Sequence, residues 1–356
     1  MLAVEAELDP FSIGPARPEL TCIIPAYNEA DSIVDTVNSV LEQDDPPEVV
    51  LVVDDGSTDD TGELALAAGA KVLRPPVNTG SKAGAQSFAL DSVTTPFTMV
   101  LDADSTLTPG SVAELRRTLE ENPDVAAACS FVVPRHRRTI WERGRYVEYL
   151  YAFGHGKPVQ DLYGRALISS GCFSMYRTPW LLETGGWSSR TLAEDMDLTW
   201  TLYRMGAQVK FVESAVCEPI EPDSFAMMRT QLRRWSHGFL QNVAIHRHGI
   251  LRQNMLRSII SVALWDGVLS ALFYIVILQL ITLLIVPIEL IRYLSDAQAI
   301  GVPVLWAGAR RGEFWSALVS LPSFFVLRLV NSALMLRAVF SEWVLRRSFD
   351  VYEKGH

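Results

Sequence analysis

Cysteine is scarce in this chain and poorly placed for bridging. The four present (Cys22, Cys129, Cys172, Cys217) include no CxxC pair and no other close spacing. That argues against a zinc site or a disulfide framework and for the reduced thiols of a cytosolic protein. Positive charge is also lacking: the net charge is −10 over 356 residues, whereas a nucleic-acid binder presents a basic face. The N-terminal MLAVEAELDPF has no basic segment leading into an apolar run, so it does not read as a signal peptide. No internal repeat or low-complexity tract is present. The glycine-rich stretch around Lys82 lacks the GxxxxGK[ST] spacing and is not a P-loop.

The charge that exists is unevenly placed. Acidic residues dominate up to about residue 125, whereas Arg229, Arg233, Arg234, Arg247, Arg252 and Arg257 follow one another with no acid among them. Such a basic segment suits anionic lipid or phosphate.

Apolar runs at 20–25, 49–53, 71–73 and 97–101 alternate with helical stripes such as Ile33, Val34, Val37, Val40 and Leu41. That alternation predicts a mostly parallel sheet with helices on both faces. Further strands are expected at 125–133, within 166–176 and at 208–213, and a helix over 139–151 opened by a Thr139–Glu142 capping box. In a parallel sheet, ligands gather at the carboxyl ends of the strands. Asp54-Asp55-Gly56 and Asp102-Ala103-Asp104 both fall at that edge.

Each motif has a plain alternative. Asp102 and Asp104 can address a divalent ion together with a diphosphate, or be two solvated loop acids. Asp54 and Asp55 can meet ribose hydroxyls, or form an Asx turn. Lys82, at a helix entry, can approach a phosphate, or be an ordinary surface lysine. Thr191 and Glu194 have capping-box spacing, which starts a helix at Leu192, gives Glu194 an architectural role and leaves Asp195 as the candidate general base. Burial beside Glu194 and Asp197 is expected to raise its pKa. Gln231, Arg234 and Trp235 share a helix face. The basic run Arg135, Arg137, Arg138, Arg143 and Arg145 fits lipid phosphates, an anionic acceptor or a solvated face. His246 and His248 do not share a face and suggest no metal site.

From Ser258 to Ile291 the chain is apolar for long enough to cross a bilayer. A second candidate, Phe314–Phe340, contains Pro322, Arg328, Asn331 and Arg337; it either spans or lies in the interface, with spanning favoured. Flanking Arg252, Arg257, Arg346, Arg347 and Lys354 place both ends on the cytosolic side. The expected division is an arm (1–18), an α/β domain (19–245), interfacial and transmembrane helices (246–345) and a cytosolic tail (346–356).

Together, Ile24-Pro-Ala-Tyr-Asn-Glu29, Val53-Asp-Asp-Gly-Ser57, Asp102-Ala-Asp104, Gly171-Cys-Phe173, Glu194-Asp195 and Gln231-Leu-Arg-Arg-Trp235 resemble glycosyltransferase family 2. The resemblance is to its membrane-associated branch, which includes cellulose, hyaluronan and poly-N-acetylglucosamine synthases. It implies a GT-A fold, a nucleotide-diphosphate sugar donor, favouring UDP, and Mg2+ or Mn2+. By it, Pro25, Tyr27, Glu29 and Asp54, with Asp55 beside it, line the nucleotide pocket. Asp102 touches the donor phosphates, Asp104 holds the metal, and Asp195 is the base. Gly171, Cys172 and Phe173 lie near the acceptor with Glu194, and Gln231, Arg234 and Trp235 hold the diphosphate and the acceptor's terminal sugar. The expected activity is transfer of a sugar to a hydroxyl of a glycan or lipid-linked acceptor by a membrane-anchored inverting enzyme. A polyprenyl-phosphate glycosyltransferase, a nucleotidyltransferase and a catalytically silent scaffold are the rivals. Membrane lipids are expected partners, and a homo-oligomer stays open.

Overall fold

The computed structural model describes residues 19–162, 166–252, 254–272 and 288–349. The arm expected at 1–18, most of the tail and the centre of the first apolar run lie outside them. Eight strands form one sheet in the order β3-β2-β1-β4-β7-β6-β8-β5. They are β1 (Leu20–Ala26), β2 (Val49–Asp54), β3 (Lys71–Leu73), β4 (Phe97–Leu101), β5 (Ser105–Leu107), β6 (Val125–Val132), β7 (Phe173–Arg177) and β8 (Gln208–Pro219).

The pairs β1–β2, β1–β4, β2–β3 and β6–β8 are parallel, and β7 runs antiparallel between β4 and β6. The sheet is buried on both faces, which is why its strands read as nearly unbroken apolar runs. One core holds Leu20, Cys22, Ile24 and Met99 with helices α1 (Ile33–Leu41) and α4 (Ser111–Glu121). The other holds Ile23, Val53 and Val100 with α3 (Lys82–Leu90), α5 (Ile140–Tyr151) and α8 (Glu194–Arg204). The remaining short helices of this half are α2 (Thr61–Ala67), α6 (Lys157–Asp161) and α7 (Thr178–Thr184).

Beyond the sheet come α9 (Phe225–Arg252), α10 (Asn254–Leu264, continued by a π-helical turn and Ser270–Leu272), α11 (Ile288–Arg310) and α12 (Phe314–Val339). Phe314–Val344 is long and apolar enough to cross a membrane, with a mean hydropathy of 1.6. It is not detached from the rest of the chain. Leu327 of α12 packs with Met228 and Leu232 of α9, against Trp141 of α5. A Cβ at Gly144 would sit 3.0 Å from both Leu327 Cβ and the Ser323 carbonyl, so α5 and α12 touch backbone to backbone. Glu313, just before α12, accepts from the Tyr146 hydroxyl at 2.8 Å and pairs with Arg137 at 2.8 Å.

The capping box at Thr139 forms as expected. The one expected at Thr191 does not. Helix α8 starts at Glu194, two residues late, with Ala193 as an N-cap that offers no side chain. The Thr191 hydroxyl instead donates to the Ala193 carbonyl at 3.1 Å and receives the Asn242 amide at 3.2 Å. Gln241 accepts from Leu192 N–H at 3.1 Å. Two side chains of α9 thus organise the entry that a local cap was expected to organise, and Glu194 is released from that role.

Candidate active site

The carboxyl ends of β1 and β2 are tied together by Asp55 N–H donating to the Ala26 carbonyl at 2.9 Å. Past β1, Asn28 turns the chain with φ +53, a conformation asparagine tolerates better than most residues. Its Oδ1 accepts from Thr58 N–H at 2.8 Å, its own N–H donates to Ser57 Oγ at 3.0 Å, and Glu29 N–H donates to Thr61 Oγ1 at 2.7 Å. The Tyr27 side chain stands exposed on this clipped double loop, Pro25 is half-buried within β1, and Glu29 accepts from Ser32 Oγ at 3.1 Å.

Both Asp54 and Asp55 are buried, and each has an internal partner. Asp54 accepts from Ser57 N–H at 3.0 Å and pairs with Arg74 at 2.9 Å. Burial pushes its carboxyl up, but Ser57 and Arg74 together outweigh that and hold it below the ordinary value. Asp55 takes the N–H and hydroxyl of Thr79, each at 2.7 Å. This pair is therefore more than an Asx turn: it fastens the 78–79 loop and Arg74 beside the strand ends.

Lys82 is no surface lysine. Its side chain is 14% exposed; it pairs with Asp102, lies 3.7 Å from Glu194 and donates to the Gly171 carbonyl at 3.0 Å. One cation thereby joins the end of β4, the turn before β7 and the start of α8. Gly171 is also bonded through its N–H, which donates to Asp195 Oδ2 at 2.9 Å, while Met196 N–H donates to Oδ1 at 2.8 Å. Burial first, then the neighbouring charge of Glu194, raise the Asp195 pKa to about 6, against the pull of Lys82 and the two N–H groups.

Asp197, expected to push Asp195 higher, is engaged elsewhere. Arg190 grips it at 2.7 and 2.8 Å and buried His246 of α9 at 2.7 Å. Burial raises its carboxyl, but His246 and Arg190 overcome that and lower it. A cavity of about 410 Å3 opens beside Arg190, Asp197 and Arg204, on α8 but away from Asp195.

Asp102 N–H donates to the Cys172 carbonyl at 3.1 Å, and Phe173, fully buried, opens β7 opposite Leu101. Asp104 is buried, with Ser105 Oγ donating to Oδ1 at 3.2 Å and its carbonyl receiving Arg135 at 3.2 Å. Among the described residues, no three His, Cys, Asp or Glu side chains come together as a preformed metal cage.

Gln231 and Trp235 meet at a residue the sequence had left in a basic run. Arg145 is wholly buried. It donates to Gln231 Oε1, pairs with Glu148 and, at 3.2 Å, with Glu221, and lies 4.4 Å over the Trp235 ring. Tyr149 donates to Glu221 at 2.6 Å, and burial raises the Glu221 pKa despite Arg145. Arg234 is half-buried on the same helix, and Trp235 is 37% exposed. The basic run thus turns partly inward, with Arg135 and Arg137 half-buried in ion pairs and Arg138 left exposed. Only the i,i+3 spacing of Arg145 and Glu148 hinted at this.

Residues 21–185 match the family described as Glycosyl transferase family 2. A poly-beta-1,6-N-acetyl-D-glucosamine synthase of Staphylococcus epidermidis is 26% identical over 223 residues, which is 62% of this chain and 54% of that protein. Its counterpart in Staphylococcus aureus (strain MSSA476) is 24% identical over 222 residues, again covering 62% and 54%. The chain therefore spans about half the length of the curated relatives it matches. A mannosyltransferase of Pyrobaculum calidifontis, solved with GDP-Man and Mn2+, superposes with a TM-score of 0.62 at 19% identity, covering 94% of this chain and 91% of that one. That likeness extends the fold through the helices after the sheet. The chain thus has a GT-A type fold, and its residues 21–185 are similar to glycosyltransferase family 2.

Proposed function

We propose that the protein is a membrane-anchored inverting glycosyltransferase that moves a sugar from a nucleotide-diphosphate donor to a hydroxyl of a glycan or lipid-linked acceptor. The observation that carries this reading is Asp195: a carboxylate with a pKa near 6, oriented by two backbone N–H groups at the edge of a family 2 sheet. At neutral pH it is largely ionised yet basic enough to accept a proton as the reaction proceeds. The acceptor oxygen forms its bond to the anomeric carbon, the bond from that carbon to the diphosphate breaks, and the hydroxyl proton goes to Asp195.

Two backbone N–H groups, one to each oxygen, fix the direction of the Asp195 carboxylate. Lys82, joined to Asp102, Glu194 and Gly171, places a positive charge where a diphosphate would otherwise meet only acids. Arg234 and Gln231 add donors from α9. Tyr27, Pro25 and Glu29 flank the space for the nucleoside, with Asp54 and Asp55 bracing that loop. Trp235 offers an exposed ring on which an acceptor sugar can stack, close to the helices that follow the sheet.

Asp104, with Asp102 two residues before it in the turn from β4 to β5, offers hard oxygen donors without a three-residue cage among the described residues. That suits Mg2+ or Mn2+, which is commonly held by one or two carboxylates with substrate phosphates completing the shell. When bound, the ion neutralises charge on the departing diphosphate.

The test is nucleotide release by the purified chain in detergent, with UDP-, GDP- and dTDP-sugars, Mn2+ or Mg2+ and membrane-lipid acceptors. Release above that of Asp195→Asn supports the reading; no donor giving such release overturns it. A ladder of product sizes indicates polymerisation, and one product size a single addition.

A further inference from the structure

Helix α12 has two faces that differ in what they meet. Ala317, Ser320, Phe324 and Leu327 are buried inward. Trp315, Val319, Pro322, Val326, Leu329 and Ala333 are exposed and recur at steps of four and three, the repeat of one helix face. Trp315 is 73% and Val319 63% exposed. Helix α10 with its continuation repeats the pattern: Val262, Trp265, Leu269 and Leu272 are all exposed at steps of three and four. Arg328 of α12 donates to Ser270 at 2.8 Å, so the two helices are neighbours. Soluble surfaces rarely keep apolar rows of this extent without a partner.

We propose that the outward rows of α10 and α12 form one lipid-facing surface, and that α12 lies along an anionic bilayer rather than across it. This deepens the membrane association proposed above, rests on that reading, and takes the interfacial alternative for Phe314–Phe340 over a second span. The packing of α12 on α5 carries the orientation. Gly144 touches the middle of α12, at Ser323 and Leu327, and α5 there bears Glu142, Arg143, Arg145 and Glu148. Were α12 to span, its midpoint would carry α5 to bilayer depth, with the partly exposed Arg143 and Glu148 and the buried ion pairs beneath them, where ionised groups are costly even when paired. An amphipathic helix in the interface buries only its outer row.

The occupant follows from charge and continuity. Exposed Arg257 stands at one edge, exposed Arg337, Arg346 and Arg347 at another, and no acid occurs from 314 to 341. Tryptophans 265 and 315 are the side chains that favour the headgroup boundary. The sequence continues from Leu272 as FYIVILQLITLLIVP, an uncharged run suited to lipid.

Full-length chain is mixed with sealed phosphatidylcholine vesicles, with or without phosphatidylglycerol, and co-sedimented. The wild type should bind, more tightly with phosphatidylglycerol, and Val319→Glu/Val326→Glu should bind roughly tenfold or more weakly. Donor-dependent nucleotide release, unchanged in that variant, shows that it is folded. In a Cys172→Ser background, Ser316→Cys and Arg337→Cys should both react with a membrane-impermeant thiol reagent added outside. Labelling of only one end means a span and overturns the orientation. A variant that loses self-association but still binds vesicles marks a homo-oligomer interface and overturns the lipid assignment. Wild type that turns over donor but ignores vesicles sinks this inference alone; vesicle binding without turnover sinks only the catalytic reading.

Discussion

Gly171 donates its N–H to Asp195 Oδ2 at 2.9 Å, and a Cβ on Gly171 would lie 2.7 Å from that same oxygen. The residue is glycine because the carboxylate approaches its α-carbon, not because of an unusual φ. Gly171→Ala should move Asp195 by a few tenths of an ångström and lower kcat about 10- to 100-fold, since misplacement on the ångström scale already costs about two orders of magnitude. Donor affinity, read by titration calorimetry, should change little.

Asp195→Asn should cost about two to four orders of magnitude in nucleotide release, the usual contribution of a general base. The rate of the wild type should fall below a pH near 6 as Asp195 takes up a proton. Stability should respond in the opposite sense. With the folded pKa raised from 3.8 to about 6, the folded chain binds more protons than the unfolded one in that window, so this group destabilises as pH rises through it. Asp195→Asn turns one of the two acceptor oxygens into an NH2 facing a backbone N–H, so the readout is the pH dependence. The variant should lose this fall in Tm between about pH 4 and 7, and a dependence equal to that of the wild type would contradict the assigned environment.

Arg145 is a buried cation that faces Glu221 and Glu148 while bracing Gln231 and Trp235. Arg145→Met should destabilise by about 3–5 kcal/mol, because it leaves a buried carboxylate unpaired. Adding Glu221→Gln should recover part of that loss in a denaturant double-mutant cycle. Tryptophan emission should shift in the single variant as the cation leaves the Trp235 ring.

Asp197 has its carboxyl lowered by His246 and Arg190. Its stabilisation is present above the unfolded pKa and disappears as pH falls through the folded one. The Tm gap between wild type and Asp197→Asn should be wide at pH 7 and close towards strongly acid pH. A gap independent of pH would mean that packing, not the ion pairs, is what the variant lost.

The parallel half of the sheet was legible because strands buried on both faces are written as apolar runs: β1 to β4 lie where the sequence placed them. Strand β5 was not legible. It is three residues long and exists through pairing with the distant end of β8. The acids at the strand ends were visible, but their partners were not, since Arg74 and Thr79 reach Asp54 and Asp55 only after the loops close. At Thr191 the local signal was overridden by Gln241 and Asn242. Arg145 looked like one member of a basic run, and the i,i+3 spacing to Glu148 could not reveal that α9 and Glu221, in the loop before it, enclose the guanidinium.

The seam between α5 and α12 also bears on how much of the chain can be made alone. A truncation after Ile245 would end α9 early and remove Glu313, stranding Arg137 and the Tyr146 hydroxyl. It would strip Leu327 from Met228, Leu232 and Trp141, on the helices that carry Gln231, Trp235 and Arg145. These contacts predict that the sheet and the helices after it fold together, so a soluble catalytic fragment cut at that point should express poorly and lose its acceptor side first.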